Sequence, residues 1–141
     1  MGLIQESHKS LIRKKLGAMK DEVSIVYFTQ EMECAHCMET HQMLEEVSAL
    51  SDKLALQVFD FQGDKAEAER YSIDKIPAIV IKHRKDYGIR FYGVPAGYEF
   101  ASFLEDLIMV SQGDSGLSPR AKETLGSLAG PVHIQVFVTP T

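Results

Sequence analysis

Two neighbouring stretches decide the fold: Val23-Ser24-Ile25-Val26-Tyr27-Phe28 and, just beyond it, Cys34-Ala35-His36-Cys37. The first is a short, nearly continuous apolar run rich in β-branched and aromatic residues, the pattern of a strand buried on both faces. A polar loop over 29–33 separates it from the cysteines. Beyond them Cys37, His41, Leu44, Val47 and Leu50 fall along one helical stripe. The cysteines therefore stand at a strand–loop–helix junction. A thiolate at a helix N-terminus faces unpaired backbone N–H groups and the positive end of the dipole, which lowers its pKa from about 8.5 to roughly 3.5–7.5. That order makes Cys34 the exposed, attacking thiol and Cys37, one turn further in, the buried thiol that closes the disulfide. His36 places an imidazole beside the pair and, when protonated, favours the thiolate further. Stabilising the thiolate stabilises the reduced form and makes the disulfide more oxidising.

Working outward, Leu11, Ile12, Leu16 and Met19 recur at helical spacing and predict a first helix over Leu3 to Met19. Leu54 to Phe61 reads as a second strand. Asp64 with Glu67 has the shape of a capping box for a short helix ending near Tyr71. Pro77 opens a third strand, Ala78 to Ile81, and Ile89 to Tyr92 forms a fourth. The short polar connection 82–88 pairs these two as a hairpin. Phe100, Phe103, Leu104, Leu107 and Ile108 mark a last amphipathic helix. Strand–helix–strand, then hairpin and helix, gives a mixed four-stranded sheet flanked by helices, an α/β fold with an extra N-terminal helix.

Proline within a sheet is confined to starts and edges. A cis Ile76–Pro77 bond at the opening of the third strand would leave the backbone of Ile76 free to bond an extended peptide beside the thiols. Gly93, with Pro95 and Gly97, would supply the other side of that groove.

From Ser111 the composition changes. The expected organisation is one unit over 1–111, a linker with a short helix over 112–131, and a strand beginning at 132. Ser118 is a good N-cap with Pro119 at the first helical position. Val132-His133-Ile134-Gln135-Val136-Phe137-Val138 reads as a strand and echoes Val23 to Phe28, each following a helix and a turn. The expectation is an internal repeat of which 132–141 is the beginning.

A length of 141 residues allows about one domain with a self-supporting core. The net charge of −5, with acids and bases interspersed, argues against a nucleic-acid partner, which calls for a basic stripe. No apolar run approaches the roughly 20 residues of a membrane span, and the polar N-terminus has no signal-like core, so a cytoplasmic location is expected. Two cysteines three apart, rather than many spread along the chain, read as redox or metal chemistry.

The metal alternative rests on Cys34, Cys37 and His41 at C-x2-C-x3-H spacing, with His36 as a further donor; these ligand types suit zinc. Zinc sites usually draw remaining ligands from a second knuckle, and this chain has no further cysteine. The expectation is accordingly no metal. His41 reads as a half-buried packing residue rather than a base.

Strand, C-x-x-C, helix, strand, helix, Ile-Pro, hairpin and helix together, from about Val23 to Ile108, resemble the thioredoxin/glutaredoxin superfamily. Within it the chain is most similar to the N-terminal unit of the two-unit protein disulfide oxidoreductases, or glutaredoxin-like proteins, of archaea and thermophilic bacteria. The likeness is carried by Ser51-Asp52-Lys53-Leu54, Arg70-Tyr71-Ser72-Ile73-Asp74, Phe103-Leu104-Glu105-Asp106 and above all Phe91-Tyr92-Gly93-Val94-Pro95-Ala96-Gly97-Tyr98-Glu99-Phe100. Val136 to Thr141 resembles the strand that leads into that family's second unit, which makes the tail the first strand of an incomplete second unit.

The resemblance implies thiol–disulfide exchange on protein substrates, supported by a thioredoxin-reductase-like flavoprotein, with no cofactor besides the redox-active disulfide. The alternative in a different class is an electron-relay or peptide-docking module of a larger redox system, as in the flavoprotein of alkyl hydroperoxide reductase. Three departures stand out. No second C-x-x-C is present, Glu33 replaces the tryptophan that often precedes the motif, and Val23 to Phe28 lacks the buried carboxylate that thioredoxins hold behind the second cysteine. Glu31 or His36 is then the candidate to move the resolving thiol's proton. Self-association through an unpaired C-terminal strand is a further expectation.

Overall fold

The structure, a computed structural model, describes residues 2–139. Its elements run α1 (Glu6–Leu16), β1 (Val23–Thr29), α2 (Cys37–Ser48), β2 (Leu54–Asp60), α3 (Lys65–Arg70), β3 (Ala78–Lys82), β4 (Asp86–Tyr92), α4 (Tyr98–Gln112) and α5 (Pro119–Gly126). Among the described residues one mixed sheet forms in the order β2-β1-β3-β4. β1 pairs β2 in parallel and β3 antiparallel, and β3 pairs β4 antiparallel.

Alternation along β1 divides the core in two, as side chains of a strand must point to opposite faces. Val23, Ile25 and Tyr27 join Ile79, Ile81 and Phe91 under α1, α2 and α4, with Leu16, Leu44, Val47, Phe103 and Leu107 as the main partners. Val26 and Phe28 turn the other way, with Ala78 and Val80, onto Ala68, Tyr71 and Ile73. A central strand covered on both sides is why its sequence is apolar almost throughout, with Ser24 and Thr29 only half-buried.

The first helix is shorter than its apolar spacing suggests. The N–H groups of Leu3 and Ile4 are taken by the Glu46 carboxylate at 2.6 and 3.0 Å, so the chain enters α1 from an extended segment. Ile12, Leu16 and Met19 are buried, while Leu11 points outward. Asp64 does not cap α3 with its side chain. Its carboxylate instead accepts the Asp60 N–H at 2.8 Å and closes the turn after β2. β4 begins earlier than expected because Arg90 grips Asp86 with two bonds, at 2.6 and 2.9 Å, and donates to the Tyr71 carbonyl. That guanidinium holds the Asp86 carboxyl below its ordinary pKa.

Beyond α4, Gly113 ends the helix in the left-handed conformation that glycine adopts without penalty. Ser118 caps α5 by accepting the Ala121 N–H at 3.2 Å. The strand expected over 132–138 is not formed; residues 131–139 have no regular secondary structure. An extended segment becomes a strand only beside another that satisfies its N–H and C=O groups, and neither sheet edge takes this one. Val132, Ile134, Val136, Phe137 and Val138 are accordingly exposed. Deleting 131–141 is expected to change unfolding free energy by no more than about 0.5 kcal/mol, as for changes at exposed positions, and to reduce self-association. Urea denaturation and sizing check this; a loss of several kcal/mol would place the tail in the core.

Candidate active site

The site grows from the end of β1. Register places Phe28 opposite both Phe59 of β2 and Ala78 of β3, so the loop leaving β1 and the Ile76–Pro77 segment entering β3 emerge at the same end of the sheet. Glu33 takes a positive φ of 57°, unusual for a residue with a side chain, immediately before the first cysteine. Cys34 and Cys37 are joined as a disulfide with their Cα atoms 5.5 Å apart. Cys37 is the first residue of α2 and only 2% exposed, whereas Cys34 is half-exposed on the loop.

His36 occupies the N-cap position of α2 without a side-chain capping bond. Its imidazole is exposed, with Nδ1 3.6 Å from the Glu39 carboxylate, an arrangement that contributes little in water. Glu31 and Glu33 are exposed on the loop. His41 packs its ring 5.6 Å from that of Tyr27 and sits 3.5 Å from Glu45. Among the described residues no three His, Cys, Asp or Glu side chains gather as a metal site.

The Ile76–Pro77 peptide is cis. The Pro77 carbonyl accepts the Gly93 N–H at 2.9 Å, tying the entry of β3 to the turn after β4. Ile76, Pro77 and Gly93 are thus brought together at the cysteine end of the sheet. Beside them opens an apolar cavity of about 500 Å³, walled by Leu11 and Ile12 of α1, Met43 of α2, Val94, Pro95 and Phe100, with Glu39 on its lining. Sequence reasoning placed Pro95 and Gly97 on a groove but not the contribution of α1. It also passed over Tyr27, whose phenol, in the middle of an apolar strand, signals a buried hydroxyl in need of a partner.

The fold is thioredoxin-like, and it carries a disulfide at the strand–loop–helix junction. Among solved structures it is similar to a protein disulfide oxidoreductase from Aeropyrum pernix, at 25% identity and a TM-score of 0.79, covering 89% of this chain and 56% of that one. The alkylhydroperoxide reductase AhpF from Enterococcus faecalis superposes with a TM-score of 0.80 at 21% identity, over 89% of this chain and 61% of that one. In sequence the chain is 25% identical over 135 residues to the corresponding alkyl hydroperoxide reductase protein of Pseudomonas putida, spanning 96% of this chain. It covers only 24% of that relative, so it corresponds to about a quarter of the longer protein. No family model matches the chain.

Proposed function

We propose that the protein exchanges disulfides with protein substrates through Cys34 and Cys37. The Cys34 thiolate attacks a substrate disulfide, forming a mixed disulfide and releasing one substrate thiolate. Cys37 then attacks Cys34 Sγ, the second substrate sulfur leaves with the electron pair, and the Cys34–Cys37 disulfide forms as the substrate is reduced. The reverse sequence oxidises a substrate. Ile76, Pro77 and Gly93 hold the substrate backbone. A flavoprotein of the thioredoxin-reductase type restores the dithiol, and no cofactor besides the cysteine pair is required. The observation that carries this reading is the asymmetric disulfide, one sulfur residue half-exposed and the other buried at a helix N-terminus on a thioredoxin-like fold. Dithiol-dependent reduction of insulin tests it; no rate above background would reject it.

A second reading is supported by the match along 96% of this chain to one quarter of the Pseudomonas alkyl hydroperoxide reductase protein. It makes the pair an electron relay for a neighbouring flavin domain or a peroxidase. Rapid reduction by such a domain with no activity on insulin would favour the relay. The exposed apolar stretch 132–138 and the 56% coverage of the Aeropyrum chain support a two-unit organisation in either case. None of the helices among the described residues is long and apolar enough to cross a membrane. The low cysteine content supports a reducing, cytoplasmic setting.

Because an imidazole at position 36 favours the thiolate when it carries a proton, the pair is expected nearer the roughly −180 mV of isomerase-type proteins than the about −270 mV of thioredoxin. His36→Pro lowers the potential by tens of millivolts, about 30 mV corresponding to ~1.4 kcal/mol in this two-electron couple. Equilibration with glutathione measures it, and an unchanged potential would remove His36 from the mechanism.

A further inference from the structure

The buried phenol of Tyr27 is used by none of the chemistry above. Tyr27 is wholly buried in β1, and its hydroxyl donates to the carbonyl oxygen of Cys37 at 2.7 Å, linking the central strand to the first turn of α2. Thr40, also wholly buried, donates from Oγ1 to the His36 carbonyl at 2.7 Å, and its N–H reaches the same oxygen at 3.0 Å. Two successive carbonyls of the cysteine turn are therefore held by buried hydroxyls, while the N-cap side chain supplies no bond of its own. Burial pushes the Tyr27 phenol up in pKa, with hydrogen bonds to Thr29 and Thr40 acting against it, so the group stays protonated and remains a donor.

We infer that Tyr27 is a positioning residue, resting on the dithiol-exchange reading: its hydroxyl fixes Cys37 beneath Cys34 so that the resolving thiol stands ready to attack. The central strand thus brings a neutral hydroxyl to the turn that carries the resolving cysteine. Cys37 Sγ bonds to Cys34 Sγ, the Cys34–substrate bond breaks, the substrate thiolate leaves with the electron pair, and the Cys37 proton passes to solvent. This step is intramolecular, and its advantage depends on how closely the two sulfurs are held. Loss of the tether loosens the turn and lowers the effective concentration of Cys37 toward Cys34. The disulfide then becomes less favourable and the pair more oxidising.

The test is Tyr27→Phe, which keeps the ring and its packing. Glutathione titration should show a three- to tenfold smaller equilibrium constant for closing the disulfide, tenfold being about 30 mV. The mixed disulfide of Cys34 with a substrate should persist longer by a similar factor. Denaturant unfolding of both redox forms separates positioning from plain stability, because the difference between the two forms is what the potential reports. An equal loss in both forms with the potential unchanged would overturn the inference, as would a variant that folds in neither form. A wild-type pair that fails to exchange with glutathione would reject the exchange reading and the inference with it. A cycling wild type beside an unaltered variant would reject only the inference.

Discussion

Replacing Cys34 by serine abolishes dithiol-dependent reduction of insulin, a loss on the order of a thousandfold or more, as expected when a nucleophile is removed. Cys37→Ser also stops turnover, but by a different route. Its Cys34 still attacks, and without the buried partner the mixed disulfide accumulates. The asymmetry follows from placement, since Cys37 is 2% exposed and begins α2 while Cys34 lies on the open loop. A substrate disulfide can reach only the second of these. Non-reducing gels and mass spectrometry distinguish the variants by the adduct on Cys37→Ser. Adducts on both variants, or on Cys34→Ser rather than Cys37→Ser, would contradict the assignment of roles.

The largest expected effect on stability comes from Phe103→Ala. Phe103 is wholly buried in α4, its ring edge-on to Phe91 at 5.6 Å and stacked with Phe100 at 6.4 Å. It joins α4 to the sheet through the cluster that also holds Tyr27 and Leu44. Truncating such a ring costs about 3–5 kcal/mol, from lost transfer free energy and the cavity left behind. Domains of this kind have roughly 5–15 kcal/mol in total, so the variant is partly unfolded near its thermal limit. Tyr98→Ala, on the same helix but 83% exposed, serves as the control and changes stability by no more than about 0.5 kcal/mol. Urea midpoints for the two variants check the pair, and similar shifts would contradict the packing described.

Where burial alone determined the element, the sequence was readable. Val23 to Phe28 is apolar because both faces are covered, and the helix after Cys37 shows its stripe because one face meets the sheet. The place of the cysteine pair was readable too, since the disulfide stands at the junction of such a strand and such a helix. The differences arose where distant groups intervened. Leu3 and Ile4 look helical by hydropathy, but their N–H groups bond to Glu46, forty-odd positions away. Asp64 reads as a cap, yet Asp60 N–H claims its carboxylate. Val132 to Val138 has the composition of a strand, and composition cannot supply the neighbouring strand that pairing requires. In the site, the α1 wall of the apolar cavity and the reach of Tyr27 to Cys37 are products of tertiary packing and left only a faint trace in the chain.

The central claim is that Cys34 and Cys37 form a reversible dithiol–disulfide couple, and thiol counting across a glutathione redox series tests it most directly. Samples equilibrated under native conditions, acid-quenched and alkylated in denaturant should show no free thiols at the oxidised end and two per chain at the reduced end. The transition between them should be a single two-electron step that is the same from both directions. A disulfide that yields to reductant only after unfolding, or thiols that do not re-pair on return to oxidising buffer, would contradict the account.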